Sequence, residues 1–287
     1  MILITGASGN VGKEVLKKVA ETGHKMRAAY QSPQSAAAPR GVEVVAVDYN
    51  QPDTLRKALD GVEKVFLVGP PTQQLVPLER KAMDVIVQSK VKHVVKLSAM
   101  GGRDATFPRQ HAESEDYIRS TGVPFTFLRP NGFMQNVVNY SARTIKSIGK
   151  FFGSEGEGKV SLIDIGDIAS VAAKVLTEEG HNNKVYTLTG PEALSNCEVA
   201  KILSEVLGHA IEFVNLPPDQ LHAGLISAGV PEWNANALVD LQRLYHDGKA
   251  AEVKADVQNI LGRSPISLCQ FLAEHRQAFE ETTVSVS

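Results

Sequence analysis

The segment Thr5-Gly6-Ala7-Ser8-Gly9-Asn10-Val11-Gly12 carries the residue types and spacing that most clearly set up chemistry. Its glycines recur at every third position, after the apolar run Ile2-Leu3-Ile4 and ahead of a run with Val11, Val15 and Val19 on one helical face. A strand, a glycine turn and a helix in that order form a receptor for a diphosphate. Gly6 permits a sharp turn off the strand. Gly9 has no side chain where a pyrophosphate must approach the main chain. Gly12 lets the helix pack closely. The helix N-terminus then offers unpaired N–H groups and about half a positive charge from its dipole. An ordinary glycine-rich turn is the competing reading, and the strand–helix units that follow favour the nucleotide.

Other chemistries find less support. The eight histidines include no HExxH and no Cys/His ligand cluster, so no metal is expected. Ser98 has no histidine and acid at hydrolase spacing, and G-x-S-x-G is absent, which disfavours a hydrolase. Cys197 and Cys269 lie far apart and form no CxxC, which fits free thiols in a reducing, cytoplasmic setting.

The glycine segment needs a scaffold, and the first half of the chain supplies one. β-Branched runs at 2–5, 25–31, 42–47, 64–68, 93–98 and 124–129 alternate with helical patterns at 10–21, 72–89 and 108–120. The run Val42-Glu43-Val44-Val45-Ala46-Val47 reads as a strand buried on both faces. Residues 149–158, rich in glycine and charge, read as a loop, and Asp167 reads as the N-cap of a further helix. A last strand is expected at 185–189. Ser195-Asn196-Cys197-Glu198 matches a capping box for a helix that Gly208 closes. Residues 217–279 read as mostly helical. The pattern predicts an α/β fold, a Rossmann-like doubly wound parallel sheet. It divides into a dinucleotide-binding domain at 1–190 and a smaller, mostly helical substrate domain at 191–287, with 131–158 contributing to the cleft.

Composition sets outer limits. The chain has 287 residues, 43% hydrophobic and 22% charged, with a net charge of -2. These values exclude disorder and coiled coil as overall descriptions. With no basic excess, nucleic acid is not expected as a partner. The apolar start at 1–5 is too short for a signal-peptide core and no stretch is long enough to span a bilayer, so no membrane partner is expected.

Several segments together resemble a known family. The G-x-x-G-x-x-G spacing is similar to that of the extended and atypical short-chain dehydrogenases. Asp48-Tyr49, after the third strand, looks like the acidic pair that faces the adenine in them. His111-Ala112-Glu113-Ser114-Glu115, the run from Ser120 to Asn136 that includes Leu128-Arg129-Pro130-Asn131-Gly132-Phe133, and Tyr186-Thr187-Leu188-Thr189-Gly190-Pro191-Glu192 resemble the NmrA-like branch. Within that branch the chain looks most similar to bacterial enzymes that reduce quinones and triphenylmethane dyes with NADPH.

The resemblance implies NADP as cofactor, with NAD as the alternative, lying across the C-terminal edge of the sheet. It implies that Gly6, Ala7, Ser8, Gly9, Asn10, Val11 and Gly12 hold the pyrophosphate. Gln31 and Ser32 border the adenosine ribose, and Val68, Gly69 and Pro70 line the groove. Ser98 and Ala99 lie near the nicotinamide ribose, and Asn131, Gly132 and Phe133 close over the nicotinamide end. Ser98 and His111 are the candidate catalytic residues. Two departures stand out. The position where NADPH-using relatives carry an arginine is Gln31, and no carboxylate replaces it. The usual Tyr-x-x-x-Lys pair, placed by Glu115, falls on Phe107 and His111, and Phe107 cannot transfer a proton. A quinone or cationic dye needs little acid help from the protein, so hydride transfer is still expected. His111 either donates a proton or only hydrogen-bonds the ribose or a helix neighbour. The leading expectation is an NAD(P)H-dependent oxidoreductase acting on a small electron-poor acceptor, with a homodimer as a further option. The alternative is a non-catalytic NAD(P)-binding redox sensor that binds a protein partner.

Overall fold

The computed structural model describes residues 1–280. In chain order the first elements are β1 (Ile2–Ile4), α1 (Asn10–Glu21), β2 (Met26–Tyr30), β3 (Glu43–Ala46), α2 (Pro52–Ala58), β4 (Lys64–Leu67), α3 (Leu75–Val87), β5 (His93–Leu97), α4 (Thr106–Ser120) and β6 (Phe125–Pro130). Then follow α5 (Ala142–Ile148), β7 (Lys150–Gly153), β8 (Lys159–Val160), α6 (Ile165–Thr177), β9 (Lys184–Leu188), β10 (Leu194–Ser195), α7 (Asn196–Leu207) and β11 (Glu212–Asn215). The last helices are α8 (Pro218–Ser227), α9 (Glu232–His246), α10 (Asp256–Leu261) and α11 (Leu268–Glu274). Among the described residues no helix is long and apolar enough to cross a membrane.

The chain forms two compact units. The first comprises Met1–Pro130, Ile165–Leu188 and Ala255–Arg263. Its sheet has seven strands in the order β3-β2-β1-β4-β5-β6-β9, and every neighbouring pair is parallel. The fully apolar β1 is sandwiched: Leu3 pairs with Arg27 on one side and Val65 on the other. Val11, Val15, Leu16 and Val19 make the buried stripe of α1, which packs on the apolar α6. Helices α2, α3 and α4 pack in series. The core cluster of this unit runs from Leu3 and Leu67 through Met83 and Ile86 to Phe127. From β1 the chain winds outward through β2 to β3, then returns to β4 on the other side of β1. The order therefore reverses between β1 and β4, and open α/β sheets bind ligands at such a switch point.

The second unit comprises Asn131–Asp164, Thr189–Lys254 and, of the described residues, 264–280. Its core joins Met134, Ile145 and Phe151 to the apolar faces of α7 and α11, including Leu203, Phe271 and Leu272. The capping box at α7 forms as the sequence predicts: Ser195 Oγ accepts from the Glu198 amide, and the Glu198 carboxylate accepts from the Ser195 amide.

Several expectations are corrected. The boundary at 190 gives way to an interleaved division, because α6, β9 and α10 belong to the first unit while 131–164 belongs to the second. The second unit is also less helical than expected, with β7 paired parallel to β11 and β8 antiparallel to β10. Part of the predicted loop at 149–158 is thus strand β7. The apolar β3 is the outermost strand, with Glu43 and Ala46 exposed. Asp167 does not cap α6. It lies inside the first turn, fully buried, and accepts a 2.6 Å bond from Arg263.

Candidate active site

The turn after β1 is shaped by its glycines. Gly6 adopts φ +62°, which favours glycine, and a β-carbon there would come within 2.9 Å of Val68 Cβ. A β-carbon on Gly12 would run into the carbonyl of Gly6, so this glycine admits the loop's own backbone rather than the sheet. Gly9 differs from both. Its backbone is extended, and a β-carbon would meet only the Gly6 carbonyl, at 3.3 Å. The space over Gly9 is therefore open.

Helix α1 starts at this point without a side-chain cap. Among the described residues the amides of Asn10, Val11 and Gly12 bond to no other backbone group. Three unsatisfied N–H groups at the positive end of a twelve-residue helix, beside an uncovered Gly9, fit a diphosphate. Ser8, Gly9 and Asn10 are exposed, whereas Ala7 and Val11 are buried. Their side chains anchor the turn.

The other candidates in this unit sort by what they bond. Gln31 and Ser32 are exposed after β2. Arg27 is committed elsewhere: it donates to the carbonyls of Ala58 (2.5 Å) and Asp60 (3.1 Å) and pairs with Glu43 at 2.9 Å. Asp48 accepts from the Asn50 amide at 2.8 Å and from the Gln51 side chain at 3.4 Å, ordering the entry to α2. Tyr49 donates to the Val68 carbonyl at 3.2 Å. Burial pushes its phenol well above the ordinary tyrosine range. Tyr49 is thus a strut between the ends of β3 and β4. Val68, Gly69 and Pro70 follow β4, and Gly69 is held close to α3, where a β-carbon would lie 2.8 Å from Glu79 Oε1.

The two predicted catalytic side chains are tied down. Ser98 is buried and its hydroxyl donates to Glu115 at 2.6 Å. Glu115 also receives Arg129 Nε at 2.8 Å and Arg119 at 3.2 Å. Burial alone would raise the Glu115 carboxyl, but the bonds from Arg129 and Ser98 and the guanidinium charges outweigh it and hold it below the usual carboxylate range. Ser98 therefore fixes the end of β5, with Ala99 half-buried beside it.

His111 Nδ1 lies 3.3 Å from Lys96 Nζ. An ammonium only donates, so Nδ1 accepts and the ring proton is on Nε2. Burial first, then the Lys96 charge, holds the imidazole well below its ordinary pKa. This favours the uncharged ring, and of the two roles the sequence leaves open for His111, the hydrogen bond to a neighbour is the one present here, with Lys96 as the partner.

Behind His111 lies a group of side chains that the motif reading missed. Lys96 and Glu79 are both fully buried and form an ion pair at 2.5 Å. The Ser114 hydroxyl also donates to Glu79 Oε2, while Glu79 Oε1 is buried without a partner. The signal was available: a lysine inside the apolar run His93-Val94-Val95-Lys96-Leu97 of a central strand requires a buried anion.

In the second unit, Asn131 is buried and its Nδ2 donates to Ser161 Oγ and to the Ala250 carbonyl, both at 2.8 Å. Its Oδ1 accepts from the Gly132 amide at 2.9 Å. This side chain is saturated within the unit, so it positions the segment rather than offering a free amide. Gly132 and Phe133 run as an extended piece paired with Ile163.

The model of the NmrA-like family matches residues 1–271. The chain belongs to the NmrA-like family. Among its relatives it is 34% identical to the NAD(P)H azoreductase of Xenophilus azovorans, over 97% of this chain and 99% of the relative. It is 35% identical to the (4-alkanoyl-5-oxo-2,5-dihydrofuran-3-yl)methyl phosphate reductase of Streptomyces griseus, with the same shares covered. The structure of an NADPH-dependent quinone oxidoreductase from Escherichia coli, complexed with NADPH, superimposes with a TM-score of 0.89 at 28% identity, over 96% of this chain and 100% of that one. The Citrobacter sp. triphenylmethane reductase complexed with NADP(H) gives 0.88 at 30% identity, over 97% and 100%. This NmrA-like chain thus shares its fold, nearly end to end, with nucleotide-dependent reductases.

Proposed function

We propose that this chain is an NAD(P)H-dependent oxidoreductase that reduces a small, flat, electron-poor acceptor of the quinone or dye type. The observation that carries the reading is the uncapped start of α1 over an open Gly9, at the point where strand order reverses between β1 and β4. The named reductases among its relatives support it.

Bound NAD(P)H supplies the hydride. The backbone from Gly6 to Gly12 holds the diphosphate with main-chain amides, while Gln31 and Ser32 border the adenosine ribose with neutral side chains. Val68, Gly69, Pro70, Ser98 and Ala99 form the wall along the strand ends, stiffened by Tyr49 and by the Ser98–Glu115–Arg129 network. The protein's contribution is orientation and exclusion of water, because an electrophilic acceptor needs no activation by a strong acid.

Purified protein mixed with NADPH or NADH and a panel of quinones is expected to oxidise the reduced nicotinamide, followed by loss of its near-ultraviolet absorbance. Nucleotide binding without turnover on any acceptor would instead favour the sensor.

A further inference from the structure

An ammonium has three protons to donate, and each of the three on Lys96 has an acceptor. These are Glu79 Oε2 at 2.5 Å, the Leu97 carbonyl at 3.3 Å and His111 Nδ1 at 3.3 Å. Glu79 Oε2 is held in addition by the Ser114 hydroxyl, from the same helix as His111. Lys96 is therefore saturated, fully buried and out of reach of any ligand. What it governs is His111: with Nδ1 occupied as an acceptor, the proton of the neutral ring is held on Nε2.

That second nitrogen is unspent. Among the described residues His111 Nε2 bonds to no protein atom, and the side chain is half-buried rather than sealed in. Nearby hydroxyls are already used. Thr5 donates to the Phe66 carbonyl at 2.9 Å, Tyr49 to the Val68 carbonyl and Ser98 to Glu115. The side-chain amide of Gln110, next to His111, donates to the Thr72 carbonyl at 3.2 Å. This bond ties α4 to the loop after β4, so His111 stands where the connections leaving β4 and β5 meet.

Strand order says which part of a dinucleotide reaches that point. β5 is the second strand from β1, beyond β4. Neighbouring strands lie about 4.8 Å apart, so the end of β5 is about 10 Å along the sheet edge from the end of β1. A dinucleotide whose diphosphate rests on α1 and whose adenosine lies towards β2 carries its second ribose over this stretch. The hydroxyl oxygens of that sugar need donors, and the reacting ring lies beyond it.

We propose that His111 Nε2–H donates to a hydroxyl of the nicotinamide ribose, and that the buried Lys96–Glu79 pair is the device that holds the imidazole in that tautomer and orientation. The proposal rests on the functional reading above, which puts the nucleotide along this edge. Lys96 and Glu79 are then positioning residues for the coenzyme, although neither touches it. The arrangement has an electrostatic consequence. The donor that meets the sugar is neutral, and the cation behind it is neutralised by Glu79. The ribose is thus oriented without an uncompensated positive charge beside a nicotinamide ring that itself becomes positive on losing hydride.

Calorimetric titration with NADPH, ADP-ribose and ADP separates this contact from the fold, because ADP-ribose keeps the second sugar and ADP lacks it. His111→Phe should weaken NADPH and ADP-ribose about five- to tenfold and leave ADP unchanged. Lys96→Met combined with Glu79→Leu, which strands no buried charge, should weaken NADPH over the same range, with no further loss when His111→Phe is added. Nitrogen-15 spectra of the wild type need no variant: near neutral pH the His111 ring should show a protonated Nε2 and an unprotonated Nδ1. Unchanged NADPH and ADP-ribose affinity in His111→Phe, an equal loss that extends to ADP, a loss confined to NADPH, additive losses in the combined variant or a ring proton on Nδ1 overturns the proposal and leaves the functional reading intact. A wild type that binds none of the three ligands overturns both.

Discussion

The buried pair of Lys96 and Glu79 gives a sharp energetic prediction. Both side chains are fully buried, 2.5 Å apart, and the remaining bond to the shared carboxylate comes from Ser114. Replacing Lys96 by Met keeps the side-chain volume and removes the charge, leaving Glu79 with one hydroxyl donor and an oxygen that is already unpartnered. Breaking a buried pair from one side costs about 3–5 kcal/mol, because the surviving charge has lost its compensation. Replacing both partners by apolar residues of similar size removes that penalty and is often neutral or better. Lys96→Met alone should therefore lower stability by about 3–5 kcal/mol, and adding Glu79→Leu should restore most of it. Urea unfolding of wild type, both single variants and the double variant closes a thermodynamic cycle, with an interaction energy of opposite sign to the single losses. A single variant within about 1 kcal/mol of wild type, or a double variant as unstable as the sum of the singles, would refute this account of the pair.

Gln31→Arg should shift preference towards NADPH over NADH, since a guanidinium at the end of β2 would meet the 2′-phosphate and the native Arg27 is bound to Ala58, Asp60 and Glu43; the ratio of the two dissociation constants measures it, and an unchanged ratio would show that residue 31 does not border the ribose. Glu155 has its carboxyl raised, chiefly by burial, so its contribution to stability is full below the unfolded carboxyl pKa and is lost as pH rises through the folded one. Glu155→Gln should accordingly melt higher than wild type at pH 8, with the advantage vanishing towards pH 4; a difference in melting temperature independent of pH would contradict that origin.

Much of the scaffold is written in local sequence. The glycine turn, the strands that precede and follow it and the capping box of α7 depend on residues close in the chain, so spacing alone reveals them. What the sequence hides depends on distant partners. The apolar run of β3 looks like a central strand because periodicity carries no information about sheet order, yet β3 is the edge. Asp167 looks like a cap because its partner, Arg263, lies far along the chain. Gly69 looks like a concession to the nucleotide, but a buried carboxylate from α3 occupies the space its side chain would need. Ser98 and His111 have residue types suited to chemistry, and the partners that hold them, Glu115 and Lys96, lie too far along the chain for spacing to reveal.

The central claim is that main-chain amides at the start of α1 hold a diphosphate over Gly9. Gly9 is extended, and a β-carbon there approaches one group within 4 Å, the Gly6 carbonyl at 3.3 Å, a tight contact that the loop relieves by shifting a few tenths of an ångström. Calorimetric titration of NADPH into wild type and Gly9→Val, with circular dichroism to confirm the fold, tests the claim directly. The account predicts one-to-one binding by the wild type and its loss in a folded variant. Equal binding by both proteins would place the nucleotide elsewhere.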